Sequence, residues 1–404
     1  MKISYVVTLL SSNSPGSFFR PYEIAKNVQA FGNNVNILTP FKEDVENYRE
    51  VPLVEIPNAV KNQQITARAY NSVRSLIKKV RLSRLAPYDS YLLSWSKKIA
   101  DGIEKSISEK PDLIQGEQEA GALAALIVGK KLRVPVIADI HNIWPEELAA
   151  AGYIKDGSDT FRNLMKIEQS IIDDADGIIA VNDFMKDYLI NKFDAEPNKI
   201  VVVPPRGDVL YDKSEELETR SNEKKIIYSG LVNPNAHVDL FVKSIPYVYS
   251  KHPNSKFIIS EKGSEISKIK NLCKSLPTKP EFYWFQSREK ARDFIKNCHV
   301  GILTSSNDIG RKLGTPMKLL EYMSFGIPIV ANDIGSWSTL IDDEKIGIVT
   351  TDDPQDFANG ICTLIEDEKM YRNIQSKMIK LIKKKFNWKT NVERILLPFY
   401  EKLV

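Results

Sequence analysis

Cysteine, histidine and long apolar runs are all scarce in this chain. Its 404 residues include three cysteines and four histidines, and the cysteines do not have the spacing of metal ligands. A small, odd number of cysteines is typical of a reducing compartment, so we expect no disulfides. No apolar run approaches the length that crosses a membrane. These absences argue against a disulfide-stapled secreted scaffold and against a chain anchored by transmembrane helices.

Two further absences narrow the class of protein. The chain contains no G-x-x-x-x-G-K-[ST] sequence and no G-x-G-x-x-G after a strand-like run, which argues against a P-loop enzyme and against an NAD dehydrogenase. The opening run MKISYVVTLL is short and is followed by polar SSNSPGS. This pattern favours a first buried strand over a signal peptide, so we predict a cytoplasmic protein.

Charge is nearly balanced in total but unevenly distributed. The net charge of +4 does not by itself indicate nucleic-acid binding. Residues 61–98, however, contain nine lysines and arginines against one acid, Asp89, and apolar residues recur there at helical spacing. Such a segment is typical of chains that rest on anionic lipid, which predicts a peripheral position on the inner face of the cell membrane. The alternative is a solvated helix face; nucleic acid is not expected, because no recognisable motif accompanies the charge.

Strand-like apolar runs alternate with helical patterns along the whole chain, which is the order of an α/β protein. At 404 residues the chain exceeds the size at which a single core stops growing, so two domains are expected. The pattern restarts with KIIYSGLV at residues 225–232, after the polar stretch GDVLYDKSEELETRSNEKK. That stretch is typical of an interdomain linker, and we place the boundary between residues 206 and 207.

The most informative run is GTPMKLLEYMSFGIPIVANDIG, residues 314–335. Pro316 suits a first helical position, and Gly326 with the proline that follows it marks a helix end. Apolar strands are predicted on both sides, at 299–306 and 327–333. The helix therefore begins at the carboxyl edge of a parallel sheet, where open α/β sheets bind ligands.

Lys318 and Glu321 share one face of this predicted helix. The lysine and the free amides of the helix start, those of Met317 and Leu319, favour an anion such as phosphate. A carboxylate one turn further along can accept hydrogen bonds from vicinal hydroxyls, such as those of ribose. The alternative is an ordinary surface ion pair, which would contribute about 0.2 to 0.5 kcal/mol.

The motif P-x-K-x-x-E-Y-M-x-x-G-x-P-I-V-A, ending in D-x-G, resembles the donor-site signature of glycosyltransferase family 4. The resemblance covers nearly the whole chain and implies the GT-B fold, in which two Rossmann-like α/β domains face each other across a cleft. It implies an acceptor-side domain at 1–206 and a nucleotide-sugar-binding domain at 207–385. A C-terminal helix at 386–404 would cross back onto the N-terminal domain.

Further segments extend the resemblance to individual residues. SFFRPYEIAKNVQAFGNNVNILTP resembles the family's first loop, helix and second strand, with Gly16 where the backbone approaches the donor. ADIHNIWPEE resembles the family's D-x-H-x-x-W-P-E stretch, which implies that His141 faces the donor sugar; a structural histidine is the alternative. Arg206 stands in place of a common asparagine. Lys262 lies in SEKG, where relatives carry a glycine turn, and the alternative for it is a solvated loop lysine.

Three further positions depart from the family pattern. Relatives carry a Gly-Arg pair after the first strand of the second domain, a lysine five residues later and a Glu-x7-Glu pair. Here Leu231, Ala236 and Leu313 stand at the positions of the arginine, the lysine and the first glutamate. Asp308 could replace the lost carboxylate if its loop folds inward. The donor diphosphate needs other cations, and the candidates are Arg206, Lys262, Arg311, Lys312 and Lys318.

Asp174 and Asp176 match the sequence of the metal-binding D-x-D motif that is found in a different glycosyltransferase fold. They precede the strand-like run GIIAVND rather than follow one, so a turn or helix end is expected. The resemblance accordingly implies an enzyme that needs neither a metal nor a cofactor beyond its nucleotide-sugar substrate.

These inferences predict a glycosyltransferase that moves a sugar from a nucleotide-sugar donor to a hydroxyl acceptor, with His141 and Glu321 as catalytic residues. Retention of configuration is implied by the resemblance alone. The basic stretch 61–98 adds a lipid-linked or membrane-surface glycan as the predicted acceptor. Two alternatives stay open: a nucleotide-sugar epimerase of the same fold, and a non-catalytic glycosyltransferase-like subunit, which would show the same three departures.

Overall fold

The computed structural model describes residues 1–8, 16–40, 50–57, 88–150, 152–205, 207, 210, 223–285 and 288–404. Most of the basic stretch 61–98 and Arg206 lie outside these described residues. The chain divides into two compact units. The first unit comprises Met1–Pro204 together with Trp388–Val404, and the second comprises Pro205–Asn387.

The first unit contains a seven-stranded parallel sheet in the order β3-β2-β1-β4-β5-β6-β7. Its strands are mostly short apolar runs, as expected for a parallel sheet that is covered on both faces. Their bounds are β1 Lys2–Val6, β2 Asn34–Thr39, β3 Leu53–Glu55, β4 Leu113–Glu117, β5 Val136–Ile140, β6 Gly177–Ala180 and β7 Ile200–Val202.

The second unit contains a six-stranded parallel sheet in the order β10-β9-β8-β11-β12-β13. The strand order reverses between β8 and β11, and in open α/β sheets the crevice at such a point binds ligands. The bounds are β8 Lys225–Tyr228, β9 Lys256–Ser260, β10 Glu281–Tyr283, β11 Val300–Leu303, β12 Ile329–Asn332 and β13 Gly347–Thr350.

Among the described residues, helices connect the successive strands of both units except β2 and β3, whose connection lies largely outside those residues. Such helices are the usual crossover between parallel strands. In the first unit the described helices are Gly16–Ala30, Tyr88–Ser106, Gln118–Leu132, Trp144–Ala150, Asp159–Asp174 and Asp183–Phe193, with a 3₁₀ turn at Pro197–Lys199. In the second they are Val238–Lys251, Ile266–Leu272, Arg288–Ile295, Ile309–Leu313, Met317–Phe325, Ser336–Asp343, Pro354–Glu366 and Glu368–Lys385, with 3₁₀ turns at Pro234–Ala236 and Cys273–Ser275.

The last residues of the chain return to the first unit as helical segments at Trp388–Asn391, Val392–Leu396 and Leu397–Leu403, of which the middle one is a π-helix. Trp388, Leu396 and Tyr400 are buried there, in a core that includes Ile3 and Leu113 of the sheet. The opposite face of the sheet has its own apolar core, formed with the helices Tyr88–Ser106 and Gln118–Leu132. The C-terminal segment therefore covers one face of the first sheet.

The predicted α/β fold with two Rossmann-like sheets is confirmed. The helix predicted in the 314–335 run spans Met317–Phe325 and ends at Gly326, whose left-handed φ of 65° suits a glycine C-cap. Two details differ from the prediction. Pro316 is the N-cap residue rather than the first helical residue, and β13 lies in a stretch where we predicted no strand. Among the described residues, no helix is both long and apolar enough to cross a membrane.

Candidate functional site

Two carboxylates lie side by side at the carboxyl edge of the first sheet. Glu117 ends β4 and pairs in register with Asp139, the penultimate residue of β5. Their side chains share one face of the sheet because paired residues on neighbouring strands point the same way. Glu117 is 3% exposed and Asp139 is fully buried. Two buried anions this close require compensating positive charge.

Arg20 and His141 provide that charge. Arg20, on the helix after β1, donates from Nη2 to Asp139 Oδ1 at 3.1 Å and from Nε to Asp139 Oδ2 at 3.3 Å, a forked pair. His141, the first residue after β5, places Nε2 3.0 Å from Glu117 Oε2 and 3.1 Å from Asp139 Oδ1. Arg20 Nε also lies 3.0 Å from His141 Nε2. These four side chains form one ion-pair network, which we call the His141 cluster.

The His141 cluster shifts the pKa of its members. Burial alone would lower the pKa of His141, but the charges and hydrogen bonds of Asp139 and Glu117 outweigh it and raise the pKa to about 9. Burial disfavours ionised Asp139, yet Arg20 and His141 more than compensate and lower its pKa. Burial and the neighbouring Asp139 raise the pKa of Glu117. The two carboxylates therefore favour the protonated imidazole, with Nε2 facing them and Nδ1 not engaged by them, whereas Arg20 Nε–H can donate to Nε2 only in the neutral form.

Two groups of side chains in the described part of the chain bring metal-binding atom types within 4.8 Å of one another. One is Glu117, Asp139 and His141, which belong to the His141 cluster, where Arg20 and His141 provide the positive charge beside the two carboxylates. The other is His252, Cys362 and Glu366, in which His252 Nε2 lies 2.9 Å from Glu366 Oε1. Asp176, from the D-x-D spelling, accepts a hydrogen bond from the amide of Val136 at 2.8 Å. It follows the end of a helix, as predicted.

A separate candidate site lies at the carboxyl edge of the second sheet, where Lys318 leans over the loop after β8. Its ammonium lies 3.8 Å from the centre of the Tyr228 ring. A side chain at Gly230 would place its Cβ 3.1 Å from Lys318 Cε and Nζ, and Gly230 has a φ of +134°. Glycine is required there both by the backbone conformation and by the lysine.

The Lys318 ammonium has no carboxylate within ion-pair distance among the described residues. Burial, with the positive charge of Arg311 adding to it, lowers the pKa of Lys318 to about 7, although Glu321 acts in the opposite direction. A lysine that is desolvated and lacks a close anion is typical of a site whose counter-charge comes with the ligand. Lys318 and Glu321 both lie on the helix Met317–Phe325, and each keeps a minor part of its surface accessible although protein surrounds the Lys318 ammonium.

The helix start differs from the prediction in one respect. The amide of Leu319 donates to the carbonyl of Pro316 at 3.0 Å, so it is not the free phosphate donor that the sequence predicted. The Leu319 side chain is buried in the core. Met317 is 40% exposed, and its amide stays a candidate donor at the first position of the helix, where backbone N–H groups lack an intrahelical acceptor.

Lys262 lies in the neighbouring loop after β9. The carbonyl of Lys262 accepts a hydrogen bond from Val232 N at 2.7 Å, which joins this loop to the one after β8. The Lys262 ammonium lies 5.7 Å from the centre of the Trp284 ring, and Trp284 is 59% exposed. Lys262 is therefore a second cation at the same sheet edge as Lys318.

The departures from the family pattern occupy different environments. Leu231 is 50% exposed beside Gly230, whereas Ala236 and Leu313 are buried. Asp308 does not replace a carboxylate at position 313, because its oxygens are used locally. It caps the helix Ile309–Leu313 by accepting from Arg311 N at 3.0 Å, and it accepts from Ser306 Oγ at 2.6 Å.

Gly16 begins the helix that carries Arg20, while the loop before it lies outside the described residues. Arg20, Glu117 and Gln115 were not predicted from the sequence. Gln115 is fully buried and donates from Nε2 to Glu117 Oε1 at 3.0 Å and to Asp139 Oδ2 at 3.3 Å. A signal was present in DLIQGE, where a polar residue and a charged residue alternate within an otherwise apolar parallel strand.

Two Rossmann-like units, each with polar groups at the carboxyl edge of its sheet, define a class of nucleotide-dependent α/β enzymes. Comparison with known proteins identifies the family. Residues 20–206 match the family model described as Glycosyltransferase Family 4, and residues 212–381 match the one described as Glycosyl transferases group 1. The chain belongs to glycosyltransferase family 4 and is a glycosyltransferase, which confirms the resemblance.

Three similar proteins illustrate this membership. The D-inositol 3-phosphate glycosyltransferase of Corynebacterium glutamicum (strain R) is 22% identical over 367 residues, which are 83% of this chain and 84% of that protein. The chitobiosyldiphosphodolichol beta-mannosyltransferase of Candida glabrata is 18% identical over 251 residues, 54% of this chain and 55% of that protein. The structure of Anabaena Alr3699/HepE in complex with UDP and glucose has a TM-score of 0.70 at 16% identity, covering 99% of this chain and 100% of that one. At this identity the likeness shows the fold.

Proposed function

We propose that this glycosyltransferase takes its sugar from a nucleoside diphosphate sugar and transfers it to a hydroxyl acceptor. The observation that carries the proposal is the Lys318 ammonium, which lies above the glycine of the loop after β8 without a close carboxylate among the described residues. A diphosphate at the carboxyl edge of the sheet would supply the missing negative charge.

In this proposal Lys318 does the work of the two cations that are absent at Leu231 and Ala236. Because Gly230 has no side chain, the end of the Lys318 side chain lies directly against the backbone of the loop after β8. The amide of Met317 adds a donor at the helix start. Lys262 and Arg311 are two further cations at this edge, and Arg311 is close enough to lower the pKa of Lys318.

Glu321 is proposed to bind the ribose hydroxyls. It lies three residues along the helix from Lys318, and an ionised carboxylate can accept hydrogen bonds from two neighbouring hydroxyls. The Anabaena structure, which contains UDP and glucose, supports a nucleotide-sugar donor for this chain. Uridine, guanosine and adenosine donors, which carry both ribose hydroxyls, are all compatible with these contacts.

His141 is proposed to act at the sugar end of the donor. Its protonated imidazole, with Nδ1 not engaged by the carboxylates, would donate a hydrogen bond to the transferred sugar or to the phosphate of the leaving group. That phosphate gains negative charge as the glycosidic bond breaks, so a fixed cation stabilises the transition state more than the ground state. Neither a metal nor a further cofactor enters the proposal.

The acceptor is proposed to be a lipid-linked or membrane-surface hydroxyl compound, and the protein to be cytoplasmic and peripheral on the membrane. The basic stretch 61–98 supports this on charge. The names of the two relatives, which include inositol 3-phosphate and diphosphodolichol, support an acceptor that carries phosphate or lipid. Transfer with retention of configuration completes the proposal.

A thermal-shift panel of UDP, GDP, ADP, TDP and their sugars tests the donor. A ligand at 100 times its Kd should stabilise the protein by about 2.7 kcal/mol, and Lys318→Met should abolish the stabilisation. Lys369→Met, which removes an exposed lysine from the helix Glu368–Lys385, is the matched control. If no member of the panel stabilises the wild-type protein, the nucleotide-sugar proposal is wrong.

Two assays test the stereochemistry of transfer and the binding to a membrane surface. Proton NMR of the anomeric signal in the product distinguishes retention from inversion, and it detects the epimer that a nucleotide-sugar epimerase would release without an acceptor. Flotation with vesicles of anionic lipid tests the membrane surface. The wild-type protein should float at low salt, and a variant with Lys78, Lys79, Arg81 and Arg84 changed to Gln should not; equal behaviour of both would reject the membrane proposal.

A further inference from the structure

The His141 cluster is the end of a longer row of polar side chains on one face of the first sheet. Tyr5 on β1 pairs in register with Gln115 on β4. Gln115 and Glu117 are two residues apart and point the same way, and Glu117 pairs with Asp139. Tyr5, Gln115 and Asp139 are all fully buried. This row crosses the otherwise apolar core beneath the C-terminal segment.

Tyr400, from the C-terminal segment, closes this row. It is fully buried, and its hydroxyl donates to Gln115 Oε1. The Tyr5 hydroxyl lies 3.2 Å from the Tyr400 hydroxyl. Because Tyr400 has a single hydroxyl proton and gives it to Gln115, Tyr5 must be the donor to Tyr400.

The Tyr400 hydrogen bond fixes the orientation of the Gln115 amide. With Oε1 held by Tyr400, the NH₂ group faces Glu117 and Asp139, to which it donates at 3.0 and 3.3 Å. The reverse orientation would place an amide oxygen against two carboxylates. The chain of contacts therefore runs from Tyr400 through Gln115 to the two carboxylates and on to His141.

We propose that Tyr400 is a positioning residue for His141: its hydroxyl holds the Gln115 amide so that both N–H groups keep the Glu117 and Asp139 carboxylates on His141 Nε2. The importance of His141 for transfer rests on the proposed function, but the positioning itself does not. A second contact from the same segment agrees with it, since the Trp388 ring lies 5.3 Å from the Arg20 guanidinium. The C-terminal segment thus supports both cations of the cluster.

The charged groups that face His141 come from three elements besides its own strand. They are Arg20 from the helix Gly16–Ala30, Glu117 from β4 and Glu119 from the helix Gln118–Leu132, together with Asp139 on β5. Loss of the Gln115 donors would favour proton uptake by Glu117, the carboxyl group with the raised pKa. His141 would then lose one anionic partner and give up its proton at a lower pH.

Tyr400→Phe tests the proposal in the full-length protein without any substrate. The chain has four histidines, so histidine labelled with ¹³C at Cε1 should give four NMR signals, and His141→Gln assigns the one that belongs to His141. We expect Tyr400→Phe to lower the titration midpoint of His141 by about 0.5 to 1 pH unit. The midpoints of His237, His252 and His299 should not move.

Tyr5→Phe is the matched control, because it removes a hydroxyl from the same buried row and leaves the Tyr400–Gln115 hydrogen bond in place. It should move the His141 midpoint by less than Tyr400→Phe. An unchanged or raised midpoint in Tyr400→Phe, or an equal shift in Tyr5→Phe, would overturn the proposal and leave Tyr400 a merely structural residue.

Gln115→Met gives a second route if Tyr400→Phe does not fold, because it keeps the volume and removes the amide donors. It should lower the His141 midpoint as Tyr400→Phe does, and combining the two changes should add nothing further. Full additivity would overturn the proposal. If the shift appears but no nucleotide sugar binds, the positioning of His141 stands and only the proposed function fails.

Discussion

Glu117 and Asp139 pair in register on neighbouring strands with both carboxyl groups buried, and His141 Nε2 lies within 3.1 Å of an oxygen of each. An arrangement of this kind is costly for folding unless cations and hydrogen bonds complete it. Arg20, His141 and Gln115 complete it here. The first unit therefore surrounds the imidazole at the edge of its sheet with charges that raise its pKa.

Replacing His141 by Gln should reduce sugar transfer by about 100- to 1,000-fold, because one fixed donor to developing charge is lost. His252→Gln is the control, since His252 pairs with Glu366 in the second unit. Initial rates and circular dichroism of both variants provide the check. Near-normal transfer by His141→Gln would remove this residue from the catalytic site.

His141 should also make stability depend on pH. Its pKa in the folded protein, about 9, is above the ordinary value of 6.5, so its contribution is complete below pH 6.5 and is lost as the pH rises through 9. The contribution is on the order of 3 kcal/mol at most. Urea unfolding at pH 6, 7.5 and 9 should show the difference between the wild-type protein and His141→Gln shrinking as pH rises. A constant difference would contradict the protonated imidazole.

Lys318 should affect the pH dependence of stability in the direction opposite to His141. Its folded pKa of about 7 lies below the ordinary 10.5, so the unfolded chain binds more protons between these values and stability rises with pH there. Binding of a nucleoside diphosphate at pH 8 should therefore take up about one proton. Calorimetry in buffers of different ionisation enthalpy measures this uptake. Lys318→Met should bind more weakly and take up no proton, whereas uptake that persists in this variant would assign it to another group.

Glu321→Gln should distinguish a contact with the ribose of the nucleotide from a contact with its diphosphate. If Glu321 accepts hydrogen bonds from the ribose, the amide keeps one acceptor oxygen and loses the charge, so UDP or its equivalent should bind about 10-fold more weakly. Glu321→Ala should weaken binding further. A ribose-free diphosphate such as pyrophosphate should bind both variants as it binds the wild-type protein. Equal losses for pyrophosphate and nucleotide would show that Glu321 does not contact the ribose.

Gly263→Ala should disrupt the loop that carries Lys262. Gly263 has a φ of +140°, and a Cβ there would overlap the backbone of Val232. Strain and overlap together should cost about 2 to 4 kcal/mol in unfolding free energy. Gly32→Ala is the control, because Gly32 has a φ of +83° with open space around it and should lose about 1 kcal/mol. Equal losses would mean that the contact with Val232 is unimportant.

The donor-side helix could be predicted because its signals are local. Lys318, Glu321 and the C-cap residue Gly326 all lie within nine residues of one helix and its cap. The availability of the Leu319 amide could not be predicted, because a single hydrogen bond to Pro316 decides it. Similarly, only the fold reveals that Asp308 uses its oxygens to cap the next helix.

Of the four residues in the His141 cluster, only His141 was predicted from the sequence. Arg20 and Asp139 are 119 residues apart, and Tyr400 is 285 residues from Gln115, so no local pattern joins them. Strand register and the return of the C-terminal segment bring these residues together. The visible clue was the polar and charged residues of DLIQGE, whose polarity conflicts with a buried parallel strand.

The Tyr400–Gln115 contact can form only late in synthesis of the chain. On the ribosome, β1, β4 and β5 emerge long before the segment Trp388–Val404 that covers their polar face. The second unit is translated in between. Gln115 and the two carboxylates therefore lack the Tyr400 contact until the second unit has been synthesised. Maturation of the first unit is therefore tied to completion of the second, and a ribosome stalled before codon 400 would hold a nascent chain with an unfinished His141 cluster.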